Sequence, residues 1–341
     1  MKTIMKTLLV SIASLSLMFS VNAGELTVNG TAKATYNATS GNSADNGIGV
    51  TNELNFTASG ELDNGYTWSY SMELDPASGG TANNDDTQIV LGMGDMGTLK
   101  FCVSECGNNK KYSWDASAYT SMSDTGTSYG ITYPGDAGAA STATIQYHTP
   151  ELPFGTTASF AYNSPGADAQ SGNASGSSGN SRQEYSLVTK PIDGLTLSAH
   201  YNKVNDYEDG IDTEDQLEEG GSYGIKYAAG NVTIGYGKSY QAPEMLEANR
   251  AGTAVEYYEN TGYSLGYAVN DAVSVSYTRE ESTANQSTST NTTYDVEMDS
   301  VQIAYNIGGA TLSLARADVE NLSYAQNHDL TETIIAMTFA F

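Results

Sequence analysis

The sequence predicts an all-β protein, a transmembrane antiparallel β-barrel of 16 strands, and three observations carry that expectation. The first is the last stretch, His328 to Phe341, HDLTETIIAMTFAF. Thr333, Ile335, Met337, Phe339 and Phe341 share one parity, and Glu332, Ile334, Ala336, Thr338 and Ala340 share the other. Alternate side chains of a strand point to opposite faces, so one face is apolar and the other mostly small or polar, with one carboxylate. The second is the start, where Lys2 and Lys6 precede an apolar run from Leu8 to Phe19 that ends in Val21-Asn22-Ala23. A basic start, a short apolar core and small exit residues read as a signal peptide over residues 1–23. The run is too short to be a spanning helix, which needs about 20 apolar residues. The third is a rhythm through residues 24–341 of strand, long polar loop, strand and tight turn.

In order, the first strands are Glu25–Asn37 and Thr51–Glu61, then Gly65–Asp75 across the hairpin turn Asp63-Asn64-Gly65. Asp86–Met93 and Gly97–Val103 follow, and then an exceptional segment, residues 104–141, longer than any other loop. The rhythm resumes with Thr142–Thr149, Gly155–Asn163, Gln183–Lys190, Gly194–Val204, Gly220–Ala228 and Asn231–Gln241. Tyr257–Ala268, Ala272–Glu281, Asn291–Asn306, Gly309–Val319 and Asp329–Phe341 complete the set. Residues 127–133, TSYGITY, also have strand character and are assigned to the long loop, because an even count closes a barrel of this kind. Both termini then lie at the short-turn end.

Composition narrows the class. Loss of residues 1–23 leaves 12 of the 14 basic residues and all 40 acidic ones, a mature charge of 12 − 40 = −28. Such a charge disfavours nucleic acid and favours cations. Hydrophobic residues at 39%, with 35 Gly and 24 Tyr, suit apolar surface spread thinly over many short strands rather than one soluble core. An exported chain meets an oxidising compartment, so Cys102 and Cys106 in CVSEC read as a disulfide rather than a metal site. Four residues of extended strand exceed the reach of a disulfide, so such a bond requires a sharp turn near Val103.

The residues Ile145 to Tyr162, IQYHTPELPFGTTASFAY, with strand–Pro–Phe–Gly–strand following a long third loop, resemble general diffusion porins of the Gram-negative outer membrane, the 16-stranded trimeric type nearest those of alphaproteobacteria. The terminal Phe341 is similar to the aromatic residue that ends such barrels and serves there as an assembly signal. The resemblance implies a homotrimer in the outer membrane, with a water-filled lumen that the third loop enters and narrows, passing small hydrophilic solutes and ions. It also implies acidic groups on that loop set against basic groups on the wall. The candidates are Glu105, Asp115, Asp124 and Asp136 against Lys33 and Lys100, without the clustered arginines of the family. Independently, six charges that fall opposite their strands' apolar residues (Lys33, Glu53, Glu73, Lys100, Lys226 and Glu332) belong in water, since a dry core would charge several kcal/mol for each.

Other readings stay open on the sequence. Tyr112, Trp114 and Tyr119 either stack a sugar ring, making a substrate-specific channel, or pack the loop against the wall. The eight carboxylates between Asp206 and Glu219 either bind Ca²⁺ weakly or form a solvated loop. Catalysis is not expected, because His148, His200 and His328 stand near no nucleophile motif and no metal-binding spacing occurs. A secreted β-rich adhesin would share the leader and acidity but not the two-length loop rhythm. On the outward parity, Lys203, Lys238, Arg279 and Arg316 each end an apolar row, which predicts a basic rim for lipopolysaccharide phosphates among the outer-membrane lipids. The small outward residues Gly30, Ala32 and Ala34 of the first strand predict contact with protein at a trimer interface.

Overall fold

The turn at residues 62–66 shows how the wall is built. Leu62 N donates to Tyr66 O at 2.7 Å, Gly65 takes a positive φ of 80°, and Asn64 Oδ1 accepts from Tyr66 N at 3.1 Å. That geometry reverses the chain within a few residues, and the flanking strands pair from Glu61↔Thr67 upward to Leu54↔Leu74. The computed structural model describes residues 26–41, 46–76, 82–102, 114–120, 144–163, 181–205, 214–246, 255–286 and 294–341.

Among these residues the strands are β1 (Leu26–Gly41), β2 (Asn46–Glu61), β3 (Thr67–Pro76), β4 (Ala82–Gly92), β5 (Thr98–Cys102), β6 (Thr144–His148), β7 (Thr157–Asn163), β8 (Ser181–Thr189) and β9 (Leu195–Asn205). They continue as β10 (Glu214–Gln216), β11 (Glu219–Ala229), β12 (Val232–Ala242), β13 (Met245–Leu246), β14 (Val255–Ala268), β15 (Val273–Gln286), β16 (Val296–Asn306), β17 (Ala310–Glu320) and β18 (Leu330–Ala340). Sixteen of them close an antiparallel barrel in chain order, and β10 pairs with β13 as a separate two-stranded sheet. β5 pairs directly with β6, so the wall closes without residues 127–133, which lie outside the described residues. The seam is β1 against β18, from Gly41↔Leu330 to Thr31↔Ala340, followed by two backbone hydrogen bonds between Gly30 and Phe341 at 2.8 and 3.0 Å.

Two expectations of extent are corrected. β1 and β2 run on to Gly41 and from Asn46, where the sequence pattern predicts a long loop between Asn37 and Thr51. Above the membrane both faces of a hairpin meet water, so backbone pairing continues through Gly, Asn and Ser with no alternation to announce it. The β10–β13 pair was likewise silent. It is held by Gln216 Nε2, which donates to Pro243 O and Glu256 O at 2.7 and 2.8 Å.

The two faces of the wall divide by parity as expected. Ile48, Ile89, Ile145, Leu187, Ile234, Leu265, Ile303, Leu314 and Ile335 face outward and are exposed. Phe160, Tyr185 and Tyr201 form one chain of ring contacts on that face, and Tyr223, Tyr236 and Tyr263 another, with centroids 5.3–6.3 Å apart. This is the aromatic girdle of a membrane barrel. Inward positions of β6 to β16 are mainly Ser, Thr, Asn, Gln and Glu. The exception is an apolar cluster on the inner face of β16–β18, which includes Met298, Val319, Leu330 and Ile334 and is covered by Tyr119 and Tyr324.

Candidate functional site: the lumen and its loop

The chain leaves the wall at Cys102 and re-enters it at Thr144. The segment 114–120 between them is bound to the inner face of strands half-way round the barrel, from β11 to β16. The long loop therefore does enter the lumen. Lys226 Nζ donates to Asp115 O at 3.4 Å, and Ser264 Oγ to Trp114 O at 2.7 Å. Ala118 N donates to Ser276 Oγ at 2.8 Å. Gln302 closes the run: its Oε1 accepts from Tyr119 N at 2.8 Å and Thr120 N at 3.3 Å, while its Nε2 donates to Thr120 O at 2.6 Å. Polar wall side chains thus take the place of a partner strand for the loop backbone.

Glycines let the loop come this close. A Cβ at Gly235 would stand 1.7 Å from Trp114 O, and one at Gly262 would stand 2.4 Å from the Trp114 indole. Trp114 is 4% exposed in this groove. That corrects the sugar-stacking reading for Trp114, because its ring faces are occupied by the wall. Tyr119 is packed against the apolar cluster, and burial, followed by the nearby Glu332 carboxylate, pushes its hydroxyl pKa up. Tyr112 lies outside the described residues, as do Glu105, Asp124, Asp136 and Cys106. Cys102 is buried at the end of β5 and is disulfide-bonded.

Of the expected constriction charges, Asp115 is half-buried, and its Oδ1 accepts from Ser117 N at 3.0 Å and Ser117 Oγ at 2.6 Å. It therefore shapes the loop as well as charging it. Asp115 and Lys226 also line a cavity of about 450 Å³. Lys33 and Lys100 face inward on β1 and β5, both half-buried. Three residues left out of the expected set stand on the same side of the lumen. Glu53 on β2 and Glu73 and Asp75 on β3 bring their carboxylates within 4.8 Å of one another, and Thr31 Oγ1 donates to Glu53 Oε2 at 3.2 Å. Counting from the 62–66 turn would have found them, because Glu61↔Thr67 places residue 53 opposite residue 75.

Exposure divides the lumen in two. Inward residues of β6 to β18 are mostly buried, under the loop segment where it lies. Inward residues of β1 to β5 are half-exposed or exposed, Glu53 among the exposed ones, apart from Cys102 at the end of β5. The fully buried Glu332 marks the border, where Asn37 Nδ2 donates to its Oε1. Of the acidic loop 206–219, Glu218 accepts from Arg182 and Gln241, both at 3.1 Å, and Glu219 accepts from Tyr240. Burial raises the Glu218 pKa against the opposing effect of Arg182.

On the outer face, Lys203, Lys238, Arg279 and Arg316 all point outward as the parity predicts. Three are already paired. Lys238 meets Glu259, and Arg316 meets Asp318 at 3.4 Å. Arg279 meets Glu281, Glu297 and Asp299 at 2.7, 2.5 and 2.9 Å. Acids on the same outward rows and on adjacent strands change the rim from basic to mixed.

A closed 16-stranded barrel with a polar inner wall, an apolar girdled outer wall and a loop inside the lumen defines a membrane channel of the outer-membrane barrel class. The family model described as Gram-negative porin matches residues 8–321, and the chain belongs to that family: it is a porin of the bacterial outer membrane. No sequence among curated proteins matches it. Among solved structures it is similar to Salmonella typhi OmpF in complex with daunomycin, at 15% identity and TM-score 0.69 over 93% of this chain and 98% of that one. It is similar to the trimer form of Vibrio cholerae OmpT at 13% identity and TM-score 0.67, over 94% and 100% of the two chains. A triple mutant of Rhodopseudomonas blastica porin superposes with TM-score 0.60 at 13% identity, over 93% and 100%.

Proposed function

We propose that this porin is a passive diffusion channel that prefers cations, with its water path running along the inner face of β1–β5. The observation that supports this is the contrast in exposure between the two halves of the lumen. Water and solutes pass where the inward side chains are accessible, and there Glu53, Glu73 and Asp75 outnumber Lys33 and Lys100. Charged groups at a narrow point enrich counter-ions, and salt weakens the preference as the Debye length shrinks. The solutes are small and hydrophilic, since among the described residues the accessible inner face offers no aromatic platform for a sugar.

The test is the reversal potential of the purified channel in a planar bilayer under a KCl gradient. The wild type is expected to be cation-selective, most strongly in dilute salt, and Glu53→Gln/Glu73→Gln/Asp75→Asn to lose most of that preference. An anion-selective wild type, or a triple variant indistinguishable from it, would refute the assignment.

The working form is a homotrimer, as the trimeric neighbour suggests, with β1 contributing to the interface. Its outward row, Leu26, Val28, Gly30, Ala32 and Ala34, is apolar and shrinks to small residues where close approach of another wall is useful. Ala32→Trp is expected to lower the temperature at which trimers separate on a gel while leaving the monomer barrel folded. A trimer as heat-resistant as before would remove β1 from the interface.

A further inference from the structure

The inner wall is dry at one place. Val296, Met298, Val319, Leu330 and Ile334 on β16–β18 are 0–4% exposed, although they lie on the face that elsewhere carries mainly Ser, Thr, Asn and Gln. Apolar area inside a water-filled lumen stays out of water only where something covers it. Two separate segments cover this patch. One is the long loop, through Tyr119, and the other is the connection between β17 and β18, through Leu322 and Tyr324.

The connection holds those two side chains inward by a strained backbone. Asn321, Ser323, Tyr324 and Asn327 have φ of 54°, 56°, 60° and 57°, and among the described residues Phe154 alone joins them as a non-glycine with positive φ. Asn tolerates that region, but Ser323 and Tyr324 are strained in it. Hydrogen bonds fix the shape. Leu322 N donates to His328 O at 2.7 Å and His328 N to Ala325 O at 3.2 Å. Asn321 N donates to Asp329 Oδ1 at 3.1 Å and its Nδ2 to Asp295 O at 3.0 Å. Ser323 is left exposed, while Leu322 is buried. The Tyr324 ring stands 5.5 Å from that of Tyr258, and its hydroxyl shares a 2.7 Å hydrogen bond with Ser282.

Register puts both covers on one strip of wall. On β15, Ser282 meets Tyr324 near the long-loop end, and Ser276, deeper in the barrel, meets the loop at Ala118. On β16 the partner of Ser282 is Val296 and that of Ser276 is Gln302, which clamps Tyr119 and Thr120. Met298 lies between. We infer that residues 321–329 are a positioning strap for the long loop: Tyr324 from the mouth and Tyr119 from below cover one apolar seat jointly. Removing either cover wets the seat and weakens the hold on the other, the coupling expected of groups that share a packing site. The strained turn agrees with this, since such a backbone persists only where its surroundings over-determine it. The inference rests on the place of the loop in the lumen and does not depend on the ion preference proposed for the β1–β5 path.

The experiment records single channels of the full chain in planar bilayers for wild type, Tyr324→Ala, Tyr119→Ala, the double variant, Tyr324→Phe and Gln326→Ala. Each is first shown to run as a folded, heat-modifiable barrel. Tyr324→Ala is expected to close briefly about tenfold more often than wild type, a size within the range of coupling between packed neighbours. Tyr324→Phe keeps the ring on the seat and should behave as wild type, as should Gln326→Ala, whose side chain is exposed. The double variant should close no more often than the more affected single one, because the seat is already open. Leu322→Ala, which also uncovers the seat, gives the same test if Tyr324→Ala does not fold. Wild-type gating in Tyr324→Ala and Leu322→Ala overturns the proposal. A larger, steady conductance without closures overturns it too, because the strap would then only obstruct. So does a double variant in which the two effects multiply, because the covers would then act independently. An anion-selective reversal potential would refute the charge assignment of the lumen and leave the strap standing.

Discussion

Gly235→Val is expected to lower the single-channel conductance and to add rapid closures, without preventing the barrel from folding. The side chain would point into the lumen, where a Cβ already stands 1.7 Å from the Trp114 carbonyl oxygen. That neighbour is backbone, so it cannot rotate away, and the segment 114–120 must leave the wall. Moving it breaks the Ser264–Trp114 and Lys226–Asp115 hydrogen bonds first, and Ser276 and the Gln302 clamp further along then hold the loop. Each buried polar group left without a partner costs about 1–3 kcal/mol, enough to let a loop fluctuate but not enough to open a wall of strands. The displaced loop moves toward β1–β5, into the accessible half of the lumen, which sets the direction of the change. Gly47→Ala is the matched control, because nothing lies within 4 Å of a Cβ there. Wild-type conductance in Gly235→Val would show that the loop does not rest on this wall in the membrane.

The barrel itself was legible because the membrane writes it into the sequence. Alternation is forced where one face meets lipid and the other meets water, and the wall strands carry it except where the inner face of β16–β18 turns apolar. The signal fades where that asymmetry ends. The extension of β1 and β2 past Asn37 and before Thr51, and the β10–β13 pair, lie in water on both sides, so nothing distinguishes them from loop. The site was legible in part. Alternation put Lys33, Lys100, Glu53 and Glu73 inside singly, but the convergence of Glu53, Glu73 and Asp75 is a property of register between two strands. The resting place of Trp114 could not be read, since it depends on glycines 121 and 148 residues further along the chain, Gly235 and Gly262. The cation rim shows the opposite error. Parity placed all four side chains correctly, yet their partners stand both on adjacent strands, as Glu259, Glu297 and Asp299 do, and two residues further along the same strand, as Glu281 and Asp318 do.

Gly30→Leu should have the largest effect of all, loss of the folded barrel. β1 lies between β2 and β18, and at Gly30 it is tight on both sides. A Cβ there would stand 2.4 Å from the backbone oxygen of Glu53 on β2 and 3.1 Å from the ring of Phe341. Gly30 also exchanges both of its backbone hydrogen bonds with Phe341, the last pair of the seam. A soluble sheet would tolerate a frayed corner, because water would bond the freed groups. In lipid it cannot, since each unpaired backbone group costs several kcal/mol and only a closed barrel removes the edge. Closure is therefore close to all-or-none, and the expected readout is disappearance of the compact, heat-modifiable gel band after refolding into detergent. Phe341→Ala separates two roles of the terminal residue. It keeps the backbone pair with Gly30 and should refold from denaturant nearly as well as the wild type, while its yield in cell outer membranes falls if the ring is read as an assembly signal. Equal yields in cells would refute the signal role of Phe341, and a normal refolded band for Gly30→Leu would show that the seam closes without the contact on which this expectation stands.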